Sequence, residues 1–142
     1  MSDRTSERST PKRMEPVATS ASGPFWEATR DRRLVIQWCV DDEQPVHFPR
    51  DVCPRCLGTN LEYRPASGKA VVHTVVVEHQ MASPTGAEGS YAIALVDLDE
   101  GVRMMTNVVG AAPADVTVGM AVQVTWEPLS DGRHLPLFEP AS

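Results

Sequence analysis

Long apolar runs are missing from this chain of 142 residues, and none of its stretches approaches the roughly 18–20 apolar residues that cross a bilayer as a helix. Its start, Met1-Ser-Asp-Arg-Thr-Ser-Glu-Arg8, is polar throughout and lacks the apolar core of a signal peptide. The expected address is therefore cytoplasmic, with no membrane partner. Basic charge is also short, with 13 Lys and Arg against 19 Asp and Glu and a net charge of −6. That balance argues against a protein that grips nucleic acid by neutralising its backbone, which needs a surplus of cations. Cysteine is scarce too: there are three, an odd count that does not close a disulfide framework. Two of them stand as Cys53-Pro-Arg-Cys56, which in a cytoplasmic chain reads as metal or redox chemistry. The length allows one domain of ordinary size, or one with a small appendage.

What is present changes character along the chain. Residues 1–22 are Ser, Thr, Pro and charge with almost nothing to bury, and read as a disordered tail. Pro24 then precedes Phe25-Trp26-Glu27-Ala28, which suits a short helix over residues 23–33. Leu34-Val-Ile-Gln-Trp-Cys39 is a strand by its β-branched and aromatic content. It leads through a polar loop to the Cys53 turn and a second apolar arm, Leu61-Glu-Tyr63. Two short arms ending at cysteine turns have the layout of a zinc ribbon over residues 34–64, a module with too small a core to fold without its metal.

From residue 65 to 142 the pattern is β. Strands are expected at 70–78, 91–97, 102–108, 122–126 and 135–138, with a hairpin at Asp99-Glu-Gly101 and a non-sheet connector at 113–119. The continuous valines of 70–78 suggest burial on both faces. Five strands without helical periodicity favour a closed barrel over an open sheet with long edges. Its stretch 65–129 has two basic groups, Lys69 and Arg103, against seven acidic ones, and so offers no cationic groove for single-stranded nucleic acid.

The order and spacing of several segments carry a family resemblance. They are Phe25-Trp26, Leu34 to Cys39, Phe48-Pro49-Arg50 ahead of Cys53-Pro54-Arg55-Cys56, Ser67-Gly68, Ala94 to Gly101, Asn107 to Gly110, Val118-Gly-Met120 and Leu135-Pro-Leu-Phe138. The chain resembles the DUF35 family, acyl-CoA-associated proteins built from an N-terminal helix, a rubredoxin-like zinc ribbon and a C-terminal OB-fold. The resemblance implies a mainly β fold and a non-catalytic accessory or scaffold subunit. Its partner would be a thiolase-superfamily enzyme, such as a lipid-transfer-protein-like thiolase or aldolase. Acyl-CoA is the implied ligand, bound or channelled by the OB-fold, in steroid or lipid side-chain degradation. A hetero-oligomer of two plus two subunits is expected. Two other readings stand beside this one, a subunit that completes the partner's active site and an independent acyl-CoA-binding module.

The family's ribbon has two Cys-x-x-Cys turns, and here the first is incomplete. Cys39 is present, Asp42 stands at the position of its second cysteine, and Glu43 stands where a glycine is usual. Three readings remain open: zinc on Cys39, Cys53 and Cys56 with Asp42 as an oxygen ligand; the same with His47; or a metal-free ribbon held by packing. A redox dithiol at Cys53 and Cys56 has no βαβ context to support it. Phe25, Trp26, Arg50 and Arg55 are the expected contacts to the partner or to CoA, arginine being suited to phosphates and carboxylates. His73, His79 and His134 have no companion at a spacing that suggests a triad. The small-residue loop 81–90 reads as a connector at the barrel mouth.

Overall fold

The computed structural model describes residues 15–79 and 90–141. Of the tail expected to be disordered over 1–22, residues 1–14 lie outside this description. Residues 15–22 are docked: the Glu15 carboxylate accepts the Ser130 amide at 2.9 Å and its hydroxyl at 2.8 Å, and the Tyr63 hydroxyl donates to the Ala21 carbonyl at 2.5 Å.

Helix α1, Gly23–Thr29, begins at a proline in its first turn and buries Phe25, Ala28 and Thr29. It is shorter than the 23–33 expected, because the chain turns out of the helix at Arg32, whose φ is 56°. The Arg32 amide donates to the Thr29 carbonyl at 3.0 Å and the Arg33 amide to the Ala28 carbonyl at 3.1 Å. This bond pair is a Schellman motif. Its left-handed position is normally glycine, so the stop is hidden from a reading based on residue type.

Three short strands follow, β1 (Val35–Cys39), β2 (Gln44–Val46) and β3 (Leu61–Pro65), paired antiparallel in the order β2-β1-β3. The barrel comprises β4 (Lys69–His79), β5 (Ser90–Leu98), β6 (Arg103–Val108), β7 (Ala121–Pro128) and β8 (His134–Pro140). It closes in the order β4-β5-β6-β8-β7, with β7 returning to β4 and a parallel contact between β6 and β8 at Val108 and Phe138. This is the five-stranded barrel of an OB-fold. A single 3₁₀ turn, Pro113–Asp115, lies in the connector expected to be outside the sheet. Among the described residues no helix is long and apolar enough to cross a membrane.

The period of two is plain on β5 and β6, where Ala92, Ala94, Val96 and Leu98 alternate inward and Met104, Thr106 and Val108 answer them. On β4 the expectation of two buried faces fails. Ala70 and Val72 point inward, the register shifts between Val72 and Thr74, and Val71 and Val76 remain 43% and 58% exposed. A small barrel has only one inside, and no described element covers that outer face. Gly68, at φ +83°, joins the two parts, and a Cβ there would lie 2.5 Å from the Val124 side chain. One apolar core runs through both, with Phe25, Leu34, Val35 and Ile36 packed with Val96, Val122 and Phe138. The far end of the three-stranded sheet has a much smaller cluster, Cys39, Val46 and Cys53 with Leu61 against it.

Candidate metal centre and the groove beside it

That small cluster includes Cys39 and Cys53 of the two cysteine turns. Both turns share one backbone feature. Glu43, directly after Asp42, has φ 54°, and Leu57, directly after Cys56, has φ 62°. The left-handed residue following a ligand position is therefore conserved in shape between the two turns, although neither is glycine. Each such side chain costs the fold roughly 1 kcal/mol relative to glycine. Glu43→Gly and Leu57→Gly are each expected to raise the stability of the chain by roughly 0.5–1 kcal/mol. Chemical denaturation checks this, and a loss of stability in both variants would contradict it.

The ligand atoms of Cys39, Asp42, Cys53 and Cys56 all lie within 4.8 Å of one another. Cys39 Sγ is 3.7 Å from Cys56 Sγ, and Cys53 Sγ is 3.2 Å from Asp42 Oδ2. A tetrahedral zinc with bonds of about 2.3 Å to sulfur and 2.1 Å to oxygen has edges of roughly 3.8 and 3.6 Å, so the residues fit that ion. Backbone amides support the sulfurs: Asp42 N lies 3.4 Å from Cys39 Sγ, and Arg55 N lies 3.4 Å from Cys53 Sγ. Amide donation from Cys56, joined by that from Arg55, lowers the Cys53 thiol below its ordinary value. At Cys56 the Gly58 amide favours the thiolate. Desolvation, the Cys39 and Cys53 sulfurs and the Asp42 charge outweigh it and push the thiol up to about 11. A cation held by Cys39, Asp42, Cys53 and Cys56 would relieve that crowding of donors.

Arg55, expected at a partner or CoA contact, is exposed, with its side chain 47% accessible, and it also faces Asp42. Its Nε lies 3.5 Å from Asp42 Oδ2 and its terminal nitrogen donates to the Pro45 carbonyl at 3.1 Å. Arg50 is exposed, and its backbone is clamped by Gln37, which is only 4% exposed. Gln37 Nε2 donates to the Arg50 carbonyl and Oε1 accepts the Arg50 amide, both at 2.8 Å. The clamp fixes the segment that carries His47, Phe48 and Pro49.

That segment lines a groove of about 790 Å³ together with Phe25 and Trp26 of α1. Val17 supplies the N-terminal side, while Met104, Met105 and Leu135 supply the barrel side. The structure therefore brings Phe25 and Trp26 to one site. Phe25 is buried in the core and meets Trp26 edge-on at 5.0 Å. Three exposed apolar side chains, Val17 at 86%, Phe48 at 63% and Met105 at 66%, rim the groove. His47 faces it rather than the cysteines. Its Nε2 is buried without a hydrogen-bond partner, and burial lowers its pKa to about 4, which keeps the ring neutral. The motifs Phe25-Trp26, Phe48-Pro49-Arg50 and Leu135-Pro136 contribute to this groove, but nothing in the order of residues shows that they meet, since its walls come from separate segments.

The remaining histidines are structural or superficial where described. His134 is clipped to the end of α1, its amide donating to Thr29 Oγ1 at 3.1 Å and its Nδ1 lying 2.8 Å from the Thr29 carbonyl. His73 Nδ1 lies 3.5 Å from Asp97 Oδ2 on the exposed barrel wall. There the hydrogen bond from Arg103 holds the Asp97 carboxyl below its usual range. The His79 side chain and residues 80–89, which hold most of the 81–90 loop, lie outside the described residues. Several arginines have local partners: Arg30 pairs with Glu27 at 2.9 Å, and Arg64 pairs with Glu62 and stacks 4.3 Å over Trp38.

Two family models match the chain in tandem. The ChsH2 rubredoxin-like zinc ribbon domain covers residues 26–62 and the ChsH2 C-terminal OB-fold domain covers residues 63–127. A probable enoyl-CoA hydratase alpha subunit from Thermomonospora curvata is 38% identical over 133 residues, 92% of this chain but 41% of that protein. The 3-oxo-4,17-pregnadiene-20-carboxyl-CoA hydratase alpha subunit of Mycobacterium tuberculosis is 34% identical over 80% of this chain and 36% of its own length. The chain thus spans well under half of these two relatives. A DUF35 domain-containing scaffold protein of Methanocaldococcus jannaschii is 31% identical, the match covering 75% of this chain and 77% of that one. Among solved structures, a chain of the Ltp2-ChsH2(DUF35) aldolase superposes with a TM-score of 0.81 at 35% identity, covering 90% of this chain and 100% of that one.

Proposed function

Because this chain belongs to the DUF35 family, with a ChsH2-type ribbon and OB-fold in sequence, we propose that it is a non-catalytic accessory subunit of a thiolase-superfamily enzyme. The reading is carried by the apolar groove, where Val17, Phe48 and Met105 stand exposed beside a loop hydrogen-bonded through the Arg50 backbone to Gln37. Exposed apolar side chains clustered on one side of a protein mark an interaction surface. The partner is an enzyme of the lipid-transfer-protein-like class, docked on α1, the ribbon loop and the barrel edge, in an assembly of two plus two subunits. The structural relative is named as an aldolase complex and one sequence relative for a steroid carboxyl-CoA, and both names support an acyl-CoA of steroid or lipid side-chain degradation as the handled ligand.

Each part of the chain then has a task. Zinc, held by Cys39, Cys53 and Cys56, keeps the ribbon folded and so keeps Phe48 and Arg50 in place. Arg50 contacts the partner or a CoA phosphate, while Arg55 serves the metal centre. The barrel contributes the wall that faces the acyl group. This assignment uses the complex and not the isolated chain as the working unit, and its expected address is cytoplasmic.

Co-expression with the thiolase-like enzyme of the same organism tests the proposal. The two chains should elute together on size exclusion, and the enzyme's activity toward an acyl-CoA substrate should depend on this subunit. Separate elution, with the enzyme equally active alone, would overturn it.

A further inference from the structure

We infer that Asp42 is the fourth ligand of the ribbon's metal and that Arg55 is the residue that positions it, so that this ribbon carries a three-thiolate, one-carboxylate site. The inference rests on the zinc reading of the ribbon. Its first support is the repeated backbone. Cys39-x-x-Asp42 is followed by a left-handed Glu43 just as Cys53-x-x-Cys56 is followed by a left-handed Leu57. The first turn therefore keeps the shape that presents a ligand at its fourth position, and Asp42 occupies that position. Its second support is distance, with Oδ2 3.2 Å from Cys53 Sγ inside the group of four donors. His47, the other available donor, lines the groove instead.

Arg55 supplies what a carboxylate ligand needs and a thiolate does not. A carboxylate can swing about its own bond and offer either oxygen, and ligating carboxylates are normally fixed by a hydrogen-bonding neighbour. Arg55 leaves the second turn, reaches across to Asp42 Oδ2 at 3.5 Å, and is itself anchored on the Pro45 carbonyl at 3.1 Å. It also offsets charge, since three thiolates and a carboxylate carry four negative charges against the two positive charges of the ion. The mixed donor set suits zinc or cobalt(II), whereas a rubredoxin-type iron site uses four thiolates.

Zinc affinity of the full chain, measured by competition with a chromophoric chelator, tests both assignments. Wild type should hold one zinc per chain. Asp42→Asn, which keeps shape and removes charge, and Asp42→Ala should each weaken zinc binding about 10-fold or more. Arg55→Gln should weaken wild type by about 10-fold, yet weaken an Asp42→Cys background by clearly less, because a thiolate needs no orienting neighbour and only the charge offset is lost. The cobalt(II)-loaded Asp42→Cys variant should gain thiolate-to-metal charge-transfer absorption over wild type. Undiminished binding by Asp42→Asn would overturn the ligand assignment. Equal weakening by Arg55→Gln in both backgrounds would overturn the positioning role. A zinc-free, folded wild type would overturn the metal reading together with this inference, while co-elution with the enzyme reports on the accessory role separately.

Discussion

Phe138→Ala is expected to destabilise the chain by about 3–5 kcal/mol, the largest stability loss predicted for a single substitution here. Phe138 is fully buried, with 0% exposure. It stands where the barrel closes: opposite Val124 on β7, in the parallel pairing with Val108 on β6, and accepting the Val109 amide at 2.8 Å through its carbonyl. Truncation leaves a cavity between three strands whose hydrogen bonds prevent them from collapsing into it. Because helix α1 and β1 share the same apolar core, the loss should appear in one cooperative transition. Met105→Ser, at a side chain 66% exposed on the outer wall, should stay within about 0.5 kcal/mol. Urea unfolding of the two variants measures the contrast. A loss under about 1 kcal/mol for Phe138→Ala would mean that the barrel does not close through this residue.

The contrast between inner and outer residues also explains how much of the fold was legible in the order of amino acids. The apolar run from Tyr91 to Val96 stated a strand, and Gly101, at φ +99°, stated the hairpin that follows. The spacing of Cys39, Cys53 and Cys56 stated the ribbon. Legibility failed wherever a residue occupies a conformation its type does not announce. Arg32, Glu43 and Leu57 hold left-handed positions where glycine is the usual sign. The helix end was therefore misplaced, and the equivalence of the two metal turns came from the family resemblance and not from their residue types. It failed again for β4, since valine is the same letter inside and outside a barrel, and only the register shift after Val72 tells the faces apart. Residues 15–22 look unburied because they contribute polar contacts such as Glu15 to Ser130. The groove was the least visible feature, since it exists only once α1, the ribbon loop, β6 and β8 have come together.

Phe48→Asp is expected to weaken the complex with the thiolase-like enzyme by at least about 30-fold, while leaving the folding and the zinc content of the isolated chain unchanged. An exposed aromatic on a rigid loop has the character of an interface hot spot, whose loss costs about 2 kcal/mol or more. Phe48 meets that description. It is 63% exposed, its ring lies 4.3 Å from that of His47, and the two Gln37 hydrogen bonds to Arg50 hold its loop still. Little ordering entropy is then lost when a partner covers it. The aspartate adds an unpaired charge to the same spot, where desolvation on docking opposes association. Trp26 is a poorer choice, because it packs against Phe25 and lies beneath Arg133, whose guanidinium is 5.4 Å from its ring, so its removal also loosens α1. Val118→Asp, at a side chain 67% exposed outside the groove, serves as the control and should bind as wild type. Surface plasmon resonance with the immobilised enzyme measures all three proteins. Equal affinity for Phe48→Asp and wild type would remove the groove from the interface, even if the two chains still co-elute.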